Sequence, residues 1–402
     1  MTSGSGAGKM MAVQILETGG PEVLQYVEID VPEPGPGEVA VQIGAAGVNF
    51  IDIYHRQGVY PMPMPFVPGR EGAGQVIATG SGVTGVAVGD RVAWLQVPRS
   101  YAEVTVGPAD RLIPVPDALS DEQAAALALQ GLTAQSLATD VYRIVDGDDV
   151  LIHAGAGGVG LLLTQIAKIN GAGRVITTVS TPDKAELSRS AGADEVIIGY
   201  EGFAAKARDL TDGRGMSVVY DGVGKATFDG SLDALRPRGM MVLFGGASGQ
   251  VPPFDIQRLN KGGSLKLTRP NVDHFVLDTR EQLARAKDVF GWVGAGRLTV
   301  RIGATYPLAE AAKAQEDLAA RRTTGKLLLL PSCRAAADVA PTDGRATRGP
   351  ATRRAGRRSI RPSCRCVRGD VPRAGIRPVP AAGRTPDCGH HTRRSPDAAR
   401  GR

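Results

Sequence analysis

A chain of 402 residues has room for two domains with substantial cores, and its formal net charge of +6 hides two unlike pieces. From Pro331 onward there are 17 arginines, no lysine, five aspartates and no glutamate, a net charge of +12, which leaves residues 1–330 at −6. A mildly acidic body argues against nucleic acid as its partner. A body without a single cysteine excludes a disulfide framework and a thiolate zinc site there.

In chain order, the opening MTSGSGAGK is polar and expected to be flexible. Met10 or Met11 is the expected natural start, because the first strand pattern, Ala12 to Leu16, begins there. With no secretory signal pattern and no apolar run near the roughly 18 residues of a membrane span, a soluble cytoplasmic protein is expected. Residues 11 to about 125 read as short strands (Val39–Ile43, Ala73–Ala78, Arg91–Leu95, Ala102–Val106) punctuated by Pro-Gly and Gly-Asp, an all-β or barrel-like region. From Asp121 the texture changes to an alanine- and leucine-rich helix reaching Thr139, with Ser120 as its N-cap.

Strands then alternate with helices: Val150–His153, Arg174–Thr178, Glu195–Ile198, Ser217–Tyr220, Met240–Phe244 and Ser264–Leu267, with helices starting near Val159, Pro182, Gly202 and Ala226. Near-continuous Val/Ile strands in that alternation predict a doubly wound parallel sheet. A helix from Arg280 to Val293 and a closing pair of segments, Leu308–Arg321 and the strand-like Leu327–Leu330, are expected to return to the first domain.

Within this pattern the run Val150–Gly160, VLIHAGAGGVG, leads a buried strand straight into a turn in which Gly155, Gly157 and Gly160 match G-x-G-x-x-G. Such glycines permit a tight turn, close approach of backbone to a pyrophosphate, and close packing of helix on strand. The helix that follows opens with unpaired N–H groups and the positive end of its dipole, so the run predicts a dinucleotide site.

The segment from Pro331 has no aromatic residue and few aliphatic ones, so it is expected to be disordered. A basic arm for RNA is one reading. The favoured one is out-of-frame read-through, since a GC-rich gene read in the wrong frame yields this Arg, Pro, Ala and Gly bias. Cys364-x-Cys366 and Cys388-x-His390 fit neither a zinc ribbon nor a finger.

With these elements in place, the chain resembles the medium-chain dehydrogenase/reductase superfamily and, within it, the quinone oxidoreductase (zeta-crystallin) family, from about Met11 to Pro331. The most specific marks are Gly147-Asp148-x-x-Leu151-x-x-x-Gly155-Ala156-Gly157-Gly158-x-Gly160-x-x-x-x-Gln165-x-x-Lys168, GVNFIDIYHRQGVYP (47–61), QGLTA (130–134), VVYDGVG (218–224), RGMMVLFGGASG (238–249) and LTRP (267–270). The resemblance implies an α/β fold: a doubly wound Rossmann domain at 127–268 and a GroES-like β-rich catalytic domain formed by 11–126 and 269–330. Residues 331–402 are left as the tail.

Where the zinc alcohol dehydrogenase branch carries G-V-C-x-x-D and G-H-E, this chain has Gly47-Val48-Asn49-Phe50-Ile51-Asp52 and Gly69-Arg70-Glu71. With thiolate and imidazole both replaced, no four-coordinate zinc is expected and alcohol oxidation loses its Lewis acid. Hydride acceptance by an electron-poor quinone or enone needs less electrostatic help.

For the cofactor, an NAD site needs an acid at the end of the second strand, and Thr177-Thr178-Val179-Ser180 has none. Lys184, Ser180 and Tyr200 match the family's 2′-phosphate positions, so NADPH is expected, with Asp183 read as a helix N-terminal residue rather than a ribose ligand. The resemblance also implies cofactor contacts from Gly155, Ala156, Gly157, Gly158, Val159, Gly160, Thr133, Phe244, Gly245 and Arg269. Asn49, Tyr54 and Tyr60 are implied to line the cleft around nicotinamide and acceptor, where an amide and phenols hydrogen-bond carbonyl oxygens and stack on a flat ring. Asp52 is expected to hold its loop by hydrogen bonds, and His153 to be packed core rather than a general acid. No proton donor stands out.

The leading expectation is therefore a zinc-independent NADPH:quinone oxidoreductase, homodimeric by family analogy. An enone or 2-alkenal reductase on the same scaffold is the alternative. An RNA-binding or structural crystallin-like protein is the reading from a different class.

Overall fold

A computed structural model of the protein describes residues 8–331. The polar opening through residue 7 and the segment from residue 332, with its four cysteines and its expected disorder, lie outside the described residues.

The first half is built from short antiparallel strands. β1 (Lys9–Gln14) and β2 (Gln25–Asp30) form a two-stranded ribbon. β3 (Glu38–Val48) is the spine of the main sheet, and a short helix the sequence pattern did not announce, α1 (Phe50–Arg56), follows it directly. β4 (Gly72–Thr79), β5 (Arg91–Trp94), β6 (Val104–Pro108) and β7 (Ile113–Pro114) complete the local strands. The strand expected at Ala102–Val106 thus forms two residues further on.

α2 (Asp121–Ser136) begins as expected: Ser120 Oγ accepts from Gln123 N at 3.2 Å while Gln123 Oε1 accepts from Ser120 N at 3.0 Å, a reciprocal cap. It is buried on nearly all sides, chiefly through Ala124, Ala125, Ala126 and Ala128, and packs against β3, β4 and β5. Small side chains let it approach those strands closely. Its expected extension to Thr139 is a π-helical turn, Leu137–Val141, held where the Tyr220 hydroxyl donates to Leu137 O at 3.1 Å.

The predicted α/β alternation then appears in order: β8 (Asp149–Ile152), α3 (Gly158–Ile169), β9 (Arg174–Val179), α4 (Pro182–Ser190), β10 (Glu195–Ile198), α5 (Phe203–Asp209), β11 (Met216–Asp221), α6 (Phe228–Asp233), β12 (Leu235–Leu243), then a short helix the pattern did not announce, α7 (Gln257–Lys261), and β13 (Lys266–Thr268). The strands form one parallel six-stranded sheet in the order β10-β9-β8-β11-β12-β13. The direction of winding reverses between β8 and β11, so the crevice beyond their carboxyl ends is where such a sheet binds ligands. Both central strands are fully buried.

α8 (Thr279–Gly294) packs on α2. β14 (Ile302–Pro307), α9 (Ala311–Ala319) and β15 (Lys326–Leu330) return to the first sheet, in which the order is β14-β15-β3-β4-β5-β7 with β6 on β3. β15 pairs antiparallel with β3, Leu328 opposite Gly47. Leu328 is fully buried in the core that α2 shares with both sheets. Leu328→Ala is expected to cost about 2–5 kcal/mol, read from the midpoint of denaturant unfolding, because the returning strand closes that core.

Candidate functional site

The glycine turn sits at the carboxyl end of β8. Ala154 enters it with φ of +52°, a conformation that costs a non-glycine residue about 1–2 kcal/mol, and Gly157 N closes the turn on Ala154 O at 2.8 Å. α3 then starts with Gly157 as its N-cap and no side-chain partner for its first N–H groups. Those donors are available to an anion. A Cβ on Gly160 would run into the Ala154 carbonyl, and one on Gly158 into the Gln130 amide, so both glycines keep this approach open. Gly155 serves packing instead: its Cβ would lie 2.6 Å from Thr177 Cβ.

The cavity at this turn, about 1050 Å³ with its open mouth, brings together Ala156, Gly157, Gly158, Val159, Gly160, Ser180, Lys184, Tyr200, Phe244 and Asn49 of the residues expected from the sequence. Thr133, Tyr54, Tyr60, Gly155, Gly245 and Arg269 do not form its wall. Thr133 is half-buried on α2, one turn beyond Gln130, which does line the cavity. A Cβ on Gly245 would lie 2.5 Å from Gly222 O, so that glycine packs two loops together. Arg269 donates to Pro270 O at 3.3 Å. Burial raises the Tyr54 phenol above its ordinary value, opposed first by the Gly246 backbone and then by the charge of Arg269. Tyr54 and Tyr60 meet edge to face, ring centroids 6.0 Å apart, in a cluster of their own on and after α1.

One end of the cavity is cationic. Lys184 Nζ donates to Arg321 O at 2.6 Å, and burial followed by the charge of Arg321 pulls the Lys184 ammonium below its ordinary value. Neither cation meets a carboxylate among the described residues, and Asp183 stays in the first turn of α4, off the cavity wall. Arg321, with φ of +57° just beyond α9, was not among the residues expected from the sequence. Its only local signal is the Arg321-Arg322 pair after a helix. Two adjacent cations beside Ser180 and Tyr200, together with bare helix N–H groups at the glycine turn, are the donor set a phosphorylated dinucleotide requires, so these residues fit NADPH.

His153 is buried at the floor. Its Nδ1 lies 2.7 Å from Thr178 Oγ1 and its Nε2 2.9 Å from Ser231 Oγ, while the Ser231 hydroxyl donates to Asp221 Oδ2 at 2.8 Å. With that hydroxyl proton committed to the carboxylate, Nε2–H donates to Ser231 and Nδ1 accepts from Thr178. The packed histidine expected from the sequence is what the structure contains, at 1% exposure. Burial pushes the imidazole down to about 4 from 6.5. The unfolded chain binds a proton more readily across that interval, so His153 contributes stability that is present above 6.5 and lost as pH falls toward 4. Asp52, which burial pushes up to about 6, acts in the opposite direction, losing its contribution as pH rises through that value. Comparing the unfolding free energy of wild type and His153→Gln between about pH 7 and 4.5 isolates the histidine. The wild type is expected to lose a few kcal/mol relative to the variant on acidification.

Beneath the other end, Asn49 caps α1, its backbone N–H donating to Asp52 Oδ2 at 2.9 Å, and the Tyr101 hydroxyl holds the same oxygen at 3.0 Å. Asp52 thus holds its segment by hydrogen bonds as expected, but that segment is the helix α1 and not a loop. Asn49 Nδ2 donates to Glu71 Oε2 at 2.8 Å, and Glu71 is paired with Lys326. Arg70 is turned away into a two-pronged bond with Asp273, at 3.1 and 2.6 Å. An amide, a guanidinium and a carboxylate already neutralised by an ammonium do not fit zinc, and no cluster of three or more His, Cys, Asp or Glu suited to a metal occurs among the described residues. No helix among the described residues is long and apolar enough to cross a membrane.

Two family models match the chain: the alcohol dehydrogenase GroES-like domain over residues 35–117 and the zinc-binding dehydrogenase over residues 158–279. A quinone oxidoreductase of Pseudomonas aeruginosa is 47% identical over 323 residues, 79% of this chain and 99% of that protein. A 2-haloacrylate reductase of a Burkholderia species is 42% identical over 332 residues, 80% of this chain and 99% of its own length. A mycobacterial protein solved in complex with NADPH superposes with a TM-score of 0.78 at 49% identity, covering 80% of this chain and 100% of that one.

Proposed function

The chain belongs to the quinone oxidoreductase family of the medium-chain dehydrogenases/reductases, and on that premise we propose that its cleft transfers hydride from NADPH to a quinone without zinc. The observation that carries this reading is the pairing of Lys184 with Arg321 on the wall of a cavity that Ser180, Tyr200 and Asn49 also line.

NADPH, when bound, supplies the hydride. Lys184, Arg321, Ser180 and Tyr200 hold the 2′-phosphate, a dianion that relieves the repulsion between the two cations. The N–H groups of Gly158, Val159 and Gly160 face the pyrophosphate, and Ala156 and Gly157 shape the turn. Phe244 walls the cavity, and Gln130, whose buried Oε1 has no partner, offers an acceptor to the cofactor. Thr133, Gly155, Gly245 and Arg269 act from behind the wall, through packing and through Tyr54.

At the acceptor end, the Asn49 amide meets a carbonyl oxygen from the wall, and Tyr54 and Tyr60, outside that wall but packed behind its Phe50 with the Phe50 and Tyr54 rings 6.3 Å apart, close on the ring of a bound acceptor. Asn49, Arg70 and Glu71 offer no metal set, so oxygen polarisation falls to hydrogen bonds, which suits an acceptor that is already electron-poor. The reduced quinone takes its proton from solvent. A homodimer and a cytoplasmic location complete the proposal and rest on the family resemblance.

The 2-haloacrylate reductase relative supports a second acceptor class, activated alkenes, on the same residues. Steady-state kcat/KM with NADPH and 1,4-benzoquinone, a naphthoquinone and crotonaldehyde tests the order. Quinones are expected to lead. A crotonaldehyde value above both quinones would replace the quinone assignment with the alkene one.

A further inference from the structure

Lys326 and Glu71 are 1% and 0% exposed and pair directly, the only ion pair among the described residues with both side chains out of water. Taking two charges from water costs several kcal/mol per ion, recovered only where geometry and further hydrogen bonds are good. Nothing in the strand requires the charge, for Leu327, Leu328 and Leu329, which follow it in β15, are all buried and apolar. The pair therefore calls for an explanation beyond packing.

Its other bonds converge on one side chain of the cleft. Lys326 Nζ donates to Asn49 Oδ1 at 2.8 Å, and Asn49 Nδ2 donates to Glu71 Oε2 at 2.8 Å. The second carboxylate oxygen, Oε1, accepts from Leu129 N at 2.5 Å, anchoring the group to α2. The Asn49 amide is bracketed, ammonium on its oxygen and carboxylate on its nitrogen. Turning it over would set donor against donor and acceptor against acceptor, so its orientation is fixed. Gln130 Nε2 reaches Oδ1 only at 3.5 Å and cannot replace the clamp. A positive charge on the amide oxygen also draws density from Nδ2 and strengthens its N–H as a donor. Glu71 uses one Nδ2 hydrogen. The other reaches only Gly47 O at 3.5 Å, beyond ordinary N–H···O distances, on a residue that lines the cavity.

We propose that Lys326 is a positioning residue, which orients and polarises the Asn49 amide so that its spare N–H meets the acceptor oxygen as negative charge develops there. The proposal rests on the reading of the cleft as the site where an acceptor receives hydride. It requires the contribution of Lys326 to grow with the charge the acceptor oxygen must carry, and so to be larger for an enone than for a quinone.

The test uses the full chain and two variants. Glu71→Gln with Lys326→Met removes both charges together, so that no unpaired buried ion is left. Lys326→Gln keeps a donor without the charge, and serves if the double variant does not fold. Three quantities are read: NADPH affinity by nicotinamide fluorescence, single-turnover oxidation of NADPH by 1,4-benzoquinone and by crotonaldehyde, and the ionisation of 4-nitrophenol bound to the NADP⁺-loaded protein, followed by nitrophenolate absorbance. The last needs no turnover and uses a phenolate as a stable mimic of the charged oxygen.

NADPH affinity is expected to stay within about threefold. The crotonaldehyde rate is expected to fall about tenfold further than the benzoquinone rate, and the bound nitrophenol to ionise about one pH unit higher than in wild type. Equal losses for both acceptors, or an unshifted nitrophenol, overturn the proposal. A wild type that oxidises NADPH with neither acceptor overturns the hydride reading instead, and the nitrophenol arm still decides on Lys326.

Discussion

Replacing Lys184 with alanine is expected to lower kcat/KM for NADPH by roughly 10- to 100-fold, the equivalent of one charge-assisted hydrogen bond in a partly buried site. The value for NADH should stay within about twofold. The prediction follows from the surroundings of the lysine. No carboxylate among the described residues pairs with it, its Nζ is held on the Arg321 carbonyl, and burial together with the Arg321 charge disfavours its charged form. A group arranged this way is unfavourable on its own and becomes favourable when a dianion arrives. The same logic predicts that NADPH binding takes up a fraction of a proton near the pH at which Lys184 titrates, and that NADH binding does not. Calorimetric titration in two buffers of different ionisation enthalpy reads this directly. Arg321→Ala should show the same selectivity, and the double variant should lose less than the two single losses combined, since the two cations share one ligand.

A larger loss is expected from a single methyl group. Gly160→Ala should raise the NADPH dissociation constant by at least about 100-fold and destabilise the fold by about 1–3 kcal/mol. The added Cβ meets the carbonyl oxygen of Ala154 and comes within 3.0 Å of Gly155 Cα, both backbone atoms in a turn that already holds Ala154 at positive φ. Neither can move without opening the turn that aims the α3 N–H groups. Gly158→Ala is the control on the same loop. Its Cβ meets only the end of the Gln130 side chain, which can swing aside, so the expected loss is about tenfold or less. Titration calorimetry with both variants separates a backbone constraint from a crowding effect.

These contrasts also mark how much of the molecule was legible before its structure. The glycine turn, the Ser120 cap and the strand–helix alternation are local patterns, and the parallel sheet follows them with boundaries shifted by a residue or two, except that β12 starts at Leu235, five residues before the expected Met240. Ser180, Lys184 and Tyr200 could be placed because they match the 2′-phosphate positions of the family the chain resembles. α1 was missed because seven residues are too few to display a helical period, and its start depends on a cap between Asn49 and Asp52 that reads equally well as a turn. Lys326 was missed because its meaning lies in Glu71, 255 positions earlier, and nothing near it in sequence records that pairing. Arg321 was missed for the same reason: it reaches the cavity only because α9 and β15 return to the first sheet. Gln130 was hidden in QGLTA, a run in which the threonine carried the attention while the glutamine faces the glycine turn.

The account stands most directly on whether the cleft transfers hydride from NADPH to a quinone with no metal in the path. Anaerobic single-turnover oxidation of NADPH by 1,4-benzoquinone, carried out with the full chain before and after exhaustive treatment with a chelator, measures this. The account predicts one NADP⁺ formed per hydroquinone, the same rate with and without the chelator, and a slower rate when the transferred hydrogen is deuterium. Activity that disappears with the chelator and returns on adding Zn²⁺ would contradict it.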